Sequence, residues 1–235
     1  MRLSSPIYKL KREAKTIARE QDLPRHRAVD QIAAREGFQS WSHLVIATTR
    51  PAQRVYDSLA PGDMVLIGAR PGQGKTLLAL EVAALAARRG TPTRIFTLDY
   101  NAMDVANRYP DLGIDPSRLG SALSVDASDE ICADHIVGWL SERSQPAVAV
   151  IDYLQILDQR RSTPRLNDQI KVLKTATTTA GHVVLAISQI DRGFDLSGRS
   201  MPDRLDVRRP NPLDLTLFDK NCFLHGGAIE LTTAA

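Results

Sequence analysis

The stretch that most constrains this chain is Met64 to Leu80, MVLIGARPGQGKTLLAL. It reads as a buried strand, a glycine-bearing loop that closes on Gly74-Lys75-Thr76, and an apolar helix. That succession is a phosphate-binding P-loop. Gly72 and Gly74 let the backbone turn so that its N–H groups converge on phosphate oxygens, and the helix start adds its positive dipole end. The cradle runs through Ala69, Arg70, Pro71, Gly72, Gln73, Gly74, Lys75, Thr76 and Leu77. Lys75 is placed to reach the β- and γ-phosphates, and the Thr76 hydroxyl to ligate Mg²⁺. One position departs from the usual pattern: Ala69 stands where a glycine opens the motif, and Gly68 lies one residue earlier. A glycine turn that merely joined strand to helix would not need Lys75 and Thr76. The expectation is therefore ATP or GTP, bound with Mg²⁺.

A chain of 235 residues, 43% of them hydrophobic, can build one α/β core and a small appendage. Cys132 and Cys222 are far apart and form no metal-spaced cluster, which fits a reduced, cytoplasmic setting with two core thiols. No apolar export segment opens the sequence and no run of eighteen apolar residues follows, so no membrane partner is expected. The formal charge of +3 is unevenly placed. Residues 1–50 hold ten Lys/Arg against five Asp/Glu, which leaves the remainder slightly acidic. Such asymmetry marks either a surface for nucleic acid or an acidic partner, or a solvated helix face.

Residues 1–50 read as a basic helical module. Tyr8–Glu20 and Arg27–Arg35 have helical spacing, Leu23-Pro24 punctuates between them, and Phe38 and Trp41 close the unit, with His43 in a structural place. The module suits DNA contact, docking of a protein partner, or oligomerisation. Thr48–Asp63 reads as linker, and residues 51–235 as the main domain. Helices are expected at Leu77–Arg89, from an Asn101 cap toward Tyr109, at Glu130–Arg143 and at Leu166–Ala180. Strands are expected at Arg94–Leu98, Ala122–Val125, Ala147–Ile151 and His182–Ile187, with short strand-like pieces over Leu213–Leu231. This alternation predicts a mostly parallel sheet covered by helices, with the ligand at the carboxyl ends of its strands.

Two strand ends carry further chemistry. Val148-Ala149-Val150-Ile151-Asp152 is an apolar strand ending in a carboxylate, the Walker B pattern, and Asp152 would hold Mg²⁺. Asp99, after another strand, stands where a carboxylate could position water beside a γ-phosphate, and the Gln189 amide could sense that phosphate.

Taken together, ARPGQGKT, FTLDY, VIDYLQIL, VVLAISQIDR and LDVRR resemble the ATPase domain of DnaB-type replicative helicases, within the RecA-like class. The resemblance covers roughly Gly62 to Leu231, and Ala at the start of the P-loop is usual in that family. It implies an α/β, RecA-like P-loop fold and a hexamer acting on single-stranded DNA. By the same resemblance Lys75 and Thr76 hold phosphate and Mg²⁺, Asp152 is the Walker B acid and Gln189 the sensor. Asp99 occupies the place of the family's catalytic Glu. The segments Asp158–Arg165 and Asp191–Arg209 would face DNA, offering Arg160, Arg161, Arg165, Arg192, Arg199 and Arg204 to phosphates. Asp99 is one methylene shorter than Glu, the family's basic finger has no counterpart before Ala235, and the N-terminal module differs from the helicase's own. These departures motivate an alternative, an ATP-dependent switch or partner-binding module with little hydrolysis. A small-molecule kinase with Arg160, Arg161 and Arg165 as a lid fits the arginines but not the IDYLQ and SQ phrasing.

Overall fold

The structure is a computed structural model that describes residues 4–5, 7–41, 44, 51–159, 163–209 and 211–233. His43, Arg160 and Arg161, singled out above, lie outside the described residues. The chain divides into two units, Met1–Pro51 with Gly226–Ala228 and Ala52–His225 with Ile229–Ala235.

In the smaller unit, α1 (Ile7–Glu20) and α2 (Arg25–Arg35) each carry an apolar stripe at helical spacing. Leu10 and Ala14 of α1 meet Ala28 and Ile32 of α2, and Trp41 packs against them. Phe38, buried with Ala33 and Leu44, closes the far side of α2.

The larger unit is built on a seven-stranded sheet of order β3-β2-β4-β5-β1-β6-β7. Its strands are β1 (Met64–Ala69), β2 (Thr93–Thr97), β3 (Leu123–Asp126), β4 (Val148–Asp152), β5 (Val183–Gln189), β6 (Lys220–His225) and β7 (Ala228–Thr233). The five pairings from β3 across to β6 are parallel. Between β6 and β7 stands the pair Gly226-Gly227, both at positive φ, as a two-residue hairpin turn requires.

The central strands are buried along almost their whole length, and alternate residues face opposite cores. Met64 and Leu66 of β1 face a core shared with Ala149 and Ile151 of β4. There they meet Trp139 and Leu140 of α6 (Ala133–Ser141), and Ile170 and Leu173 of α7 (Leu166–Ala180). Val65 and Ile67 face the opposite core, against Leu78, Val82, Ala83 and Ala86 of α4 (Lys75–Arg88) and Val105 of α5 (Ala102–Arg108). A continuous apolar run is what a parallel strand covered on both faces demands.

Two expectations shift. The linker read over Thr48–Asp63 contains a helix, α3 (Pro51–Ser58), which buries Ala52 and Val55. Pro51 is the first helical residue, where a missing N–H costs nothing. The helix expected from Glu130 begins only at Ala133, after an extended Cys132. Elsewhere local chemistry sets the ends as read. Asn101 and Asp104 form a capping box at the start of α5, and Gly181 at φ 72° ends α7. Both cysteines are free. Cys222 of β6 is in register with Ile67, fully buried, and burial pushes its thiol up to about 12.

Gly68 is explained by close approach, not by turning. A Cβ there would lie 2.7 and 2.8 Å from ring carbons of buried Phe223 and 3.2 Å from Ile190. Gly68→Ala is expected to lower stability by about 1–3 kcal/mol through overpacking, read from urea denaturation. A second expectation concerns Glu81 on α4, whose carboxyl burial raises to about 6. The folded state therefore holds this proton more tightly than the unfolded chain, so the group's contribution to stability falls as pH rises from about 4.5 to 6. Glu81→Gln should raise stability by about 1 kcal/mol at pH 8, allowing for partial exposure. Near pH 4 it should change little, as thermal melts at the two pH values would register.

Candidate nucleotide site

The strand order brings four carboxyl ends into one row. Moving across the sheet, β2 ends at Thr97, β4 at Asp152, β5 at Gln189 and β1 at Ala69. Thr97 is in register with Asp152, and Ala69 with Gln189. Because β4 and β5 are inserted between β2 and β1, segments distant in sequence share this edge, the usual ligand position in such sheets.

The P-loop leaves β1 at Ala69, which is buried, and enters α4 through Gly74. Gly72 has φ 76° and Gly74 φ 89°, the left-handed region that favours glycine, and a Cβ at either would meet nothing within 4 Å. Gly74 is the cap residue of α4 and supplies no side-chain hydrogen bond to it. The first N–H groups of this fourteen-residue helix therefore lack a side-chain cap, the arrangement that suits an anion. Arg70 turns away from that mouth. Its Nε donates to both carboxylate oxygens of Asp195 at 3.1 and 3.0 Å, and its Nη1 to the Ile190 carbonyl at 3.0 Å.

Asp152 is the electrostatic centre. It is 4% exposed, and burial raises its carboxyl above the usual range, with the charge of Asp99 pushing the same way. The Thr76 hydroxyl, with the charges of Lys75 and Arg108, favours its ionised form. Asp99 is exposed, two residues beyond β2, and its backbone N–H donates to Thr97 Oγ1 at 3.2 Å. The Arg108 guanidinium stacks 4.1 Å from the centre of the Tyr100 ring. Hard oxygen donors on Thr76 and Asp152 fit Mg²⁺, which uses few protein ligands and completes its shell with water and phosphate. Among the described residues no cluster of three or more His, Cys, Asp or Glu suits a metal.

Gln189 ties β5 to the segment after it. Its Oε1 accepts from Arg208 Nη1 at 3.2 Å, and its carbonyl from the Arg208 N–H at 2.7 Å. Ile190 and Val207 form an antiparallel bridge that closes residues 190–207 into a loop. Of the arginines read as DNA-facing, Arg192 is exposed and Arg204 half-buried. Arg199 is held inside the loop: it donates to Asp203 at 2.7 Å, pairs with Asp206, and lies 5.5 Å from the Phe194 ring centre. Arg165, exposed at the start of α7, borders a groove that Asp158, Asp168, Arg209, Asn211 and Asp214 also line. Sequence reasoning missed Arg70 as a latch and Arg108 as a partner of Asp152. Nothing in the spacing of either residue signals an interaction so far along the chain.

Known proteins resemble this arrangement. The family model "DnaB-like helicase C terminal domain" matches residues 37–119. One solved ATPase domain superposes with a TM-score of 0.58 at 20% identity, covering 71% of this chain and 70% of that one. A DnaB-like replicative helicase, solved for its interactions with primase, gives 0.59 at 18% identity over 92% of this chain and 66% of its own. The fold is that of the DnaB-type, RecA-like ATPase domains. In sequence, the replicative DNA helicase DnaB of Leifsonia xyli is 24% identical over 189 residues, 67% of this chain and 41% of its own length. The DNA repair protein RadA of Escherichia coli is 27% identical over 146 residues, 60% of this chain and 30% of its own. The chain thus spans less than half of these relatives. Among its described residues no helix is long and apolar enough to cross a membrane.

In this DnaB-type fold the buried acid is a liability for stability. Ionisation of Asp152 costs folding free energy at any pH above the ordinary carboxyl range, because its folded pKa is raised. Asp152→Asn should therefore raise the melting temperature of the nucleotide-free protein at pH 7.5. Differential scanning fluorimetry would show the shift.

Proposed function

We propose that the chain binds Mg·ATP at the P-loop and hydrolyses it in a reaction coupled to single-stranded DNA binding or translocation. The observation that carries this reading is the convergence of Thr76, Lys75, Asp99 and Arg108 on the buried Asp152 carboxylate. A carboxylate so buried, with a second nearby, calls for a cation, and the uncapped start of α4 calls for an anion. Mg·ATP supplies both.

The roles follow from position. Backbone N–H groups from Gly72 to Leu77 would cradle the phosphates, with Lys75 on the β- and γ-oxygens. Thr76 and Asp152 would hold Mg²⁺, which when bound neutralises charge developing on the phosphates. Asp99 would accept a hydrogen bond from the attacking water and orient it in line with the γ-phosphate. Gln189, bonded through Arg208 to the loop that follows, would pass the state of that phosphate to residues 190–207. Arg165, Arg192 and Arg204 would meet the DNA backbone, with Arg199 shaping the loop. Relatives of this kind make a hexamer the natural assembly and a cytoplasmic setting the natural place.

One observation favours the switch reading as a second choice. Asp99 is exposed and one methylene shorter than Glu, and misplacement by about 1 Å can cost on the order of a hundredfold in rate.

Steady-state hydrolysis and ATP affinity, measured with and without single-stranded DNA, separate the two. The motor reading expects turnover stimulated by DNA and lost in Lys75→Ala. Asp99→Asn should lower turnover by about 10²–10⁴-fold while leaving ATP affinity within a few-fold. Tight binding without turnover, indifferent to DNA, would leave the switch.

A further inference from the structure

The N-terminal unit distributes its charge unequally between interior contacts and surface. Its acids are largely engaged within the unit. Glu13 accepts from Arg35 at 2.5 and 2.9 Å. Glu36 accepts from the Ser4 N–H at 2.7 Å and from its hydroxyl, and Asp30 accepts from the Trp41 N–H at 2.8 Å. Among the described residues its cations, Arg35 apart, form no ion pair. Lys11, Arg12, Lys15 and Arg19 of α1 are all exposed, and among the described residues none of them forms an ion pair.

These four side chains share one helix face. Lys11, Lys15 and Arg19 follow at intervals of four, each turned about 40° from the last, and Arg12 falls about 20° beyond Arg19. All lie within about 100° of arc, centred about 130° round the helix from the face that buries Leu10 and Ala14. The row is about 12 Å long, a length of duplex axis that carries roughly seven phosphate charges at one per ~1.7 Å. Arg25 and Arg27 stand exposed in the first turn of α2, whose cap Pro24 offers no side-chain oxygen and whose first turn has no acid. Cations there oppose the helix dipole, so local helix energetics do not account for them.

The surface lacks what other partners would need. None of the large hydrophobic side chains exposed among the described residues lies in this unit, whereas protein interfaces are centred on buried aromatic or apolar anchors. Phe38 is buried and Trp41 half-buried, so neither offers the open stacking platform on which single strands are held. We infer that the outer face of α1, with the start of α2, is a second nucleic-acid surface that binds the phosphate backbone of duplex DNA without reading sequence. It is independent of nucleotide and separate from the single-strand contacts ascribed to the larger unit.

The test uses the full chain, nucleotide-free, and a fluorescent duplex of about 20 base pairs titrated across a range of salt. The variant Lys11→Gln, Arg12→Gln, Lys15→Gln, Arg19→Gln keeps good helix formers on the exposed face, and circular dichroism checks that the fold is retained. A control with Arg88→Gln and Lys171→Gln removes two exposed cations of the larger unit to which no DNA contact is ascribed. Neutralising four phosphate contacts should reduce the slope of log affinity against log salt by about three to four, with at least a roughly tenfold loss of duplex affinity at about 0.1 M salt. That control should keep both, and DNA-stimulated hydrolysis by the α1 variant tests the ATPase reading separately. An unchanged duplex slope in the folded α1 variant would overturn the proposal. So would an unchanged slope accompanied by lost retention on polyglutamate, which would assign the face to an acidic protein.

Discussion

A carboxylate enclosed at the end of a central strand stays charged only where positive charge is close, and Asp152 sets that condition for the larger unit. Thr76 and Lys75 reach it because the strand order brings the P-loop to the same edge as β4. Asp99 makes the burial still less favourable. Asp99 and Asp152 thus repel one another, a repulsion that the Mg·ATP proposed for this site would relieve. The helices on either face, and the apolar period of the strands, are what keep that edge rigid enough for the unfavourable charge to persist.

Much of this was legible in the chain because the signals are local. The P-loop residues, the apolar strand ending at Asp152, the Asn101 cap and the Gly181 stop each depend on neighbours within a few positions. What escaped notice depends on partners distant in sequence. Gly68, odd as a displaced motif glycine, is small because Phe223 of β6 crosses beside it. Arg70 bonds Asp195, 125 residues away, and no periodicity announces such a pairing. The helix at Pro51–Ser58 was hidden by its own proline, which reads as a breaker unless it happens to be the first helical residue.

The segment after β5 shows how a loop can be tied closely to the strand ends beside the P-loop without regular structure. Arg70 anchors it from the P-loop and Arg208 from Gln189, while Arg199 braces it internally against Asp203 and Asp206. Each contact is polar and partly exposed, so each is individually weak and can exchange with water or ligand. A segment held this way can be displaced by small changes at either anchor, which a buried apolar contact would resist.

The thiol of Cys222 lies in register with Ile67, two residues before the P-loop begins, in the interior of the sheet. With its ionisation suppressed by burial, it is inert toward alkylating reagents for as long as β6 stays zipped to β1. Its modification rate is therefore a built-in clock for the opening of that seam. Any ligand that clamps the P-loop should slow the clock.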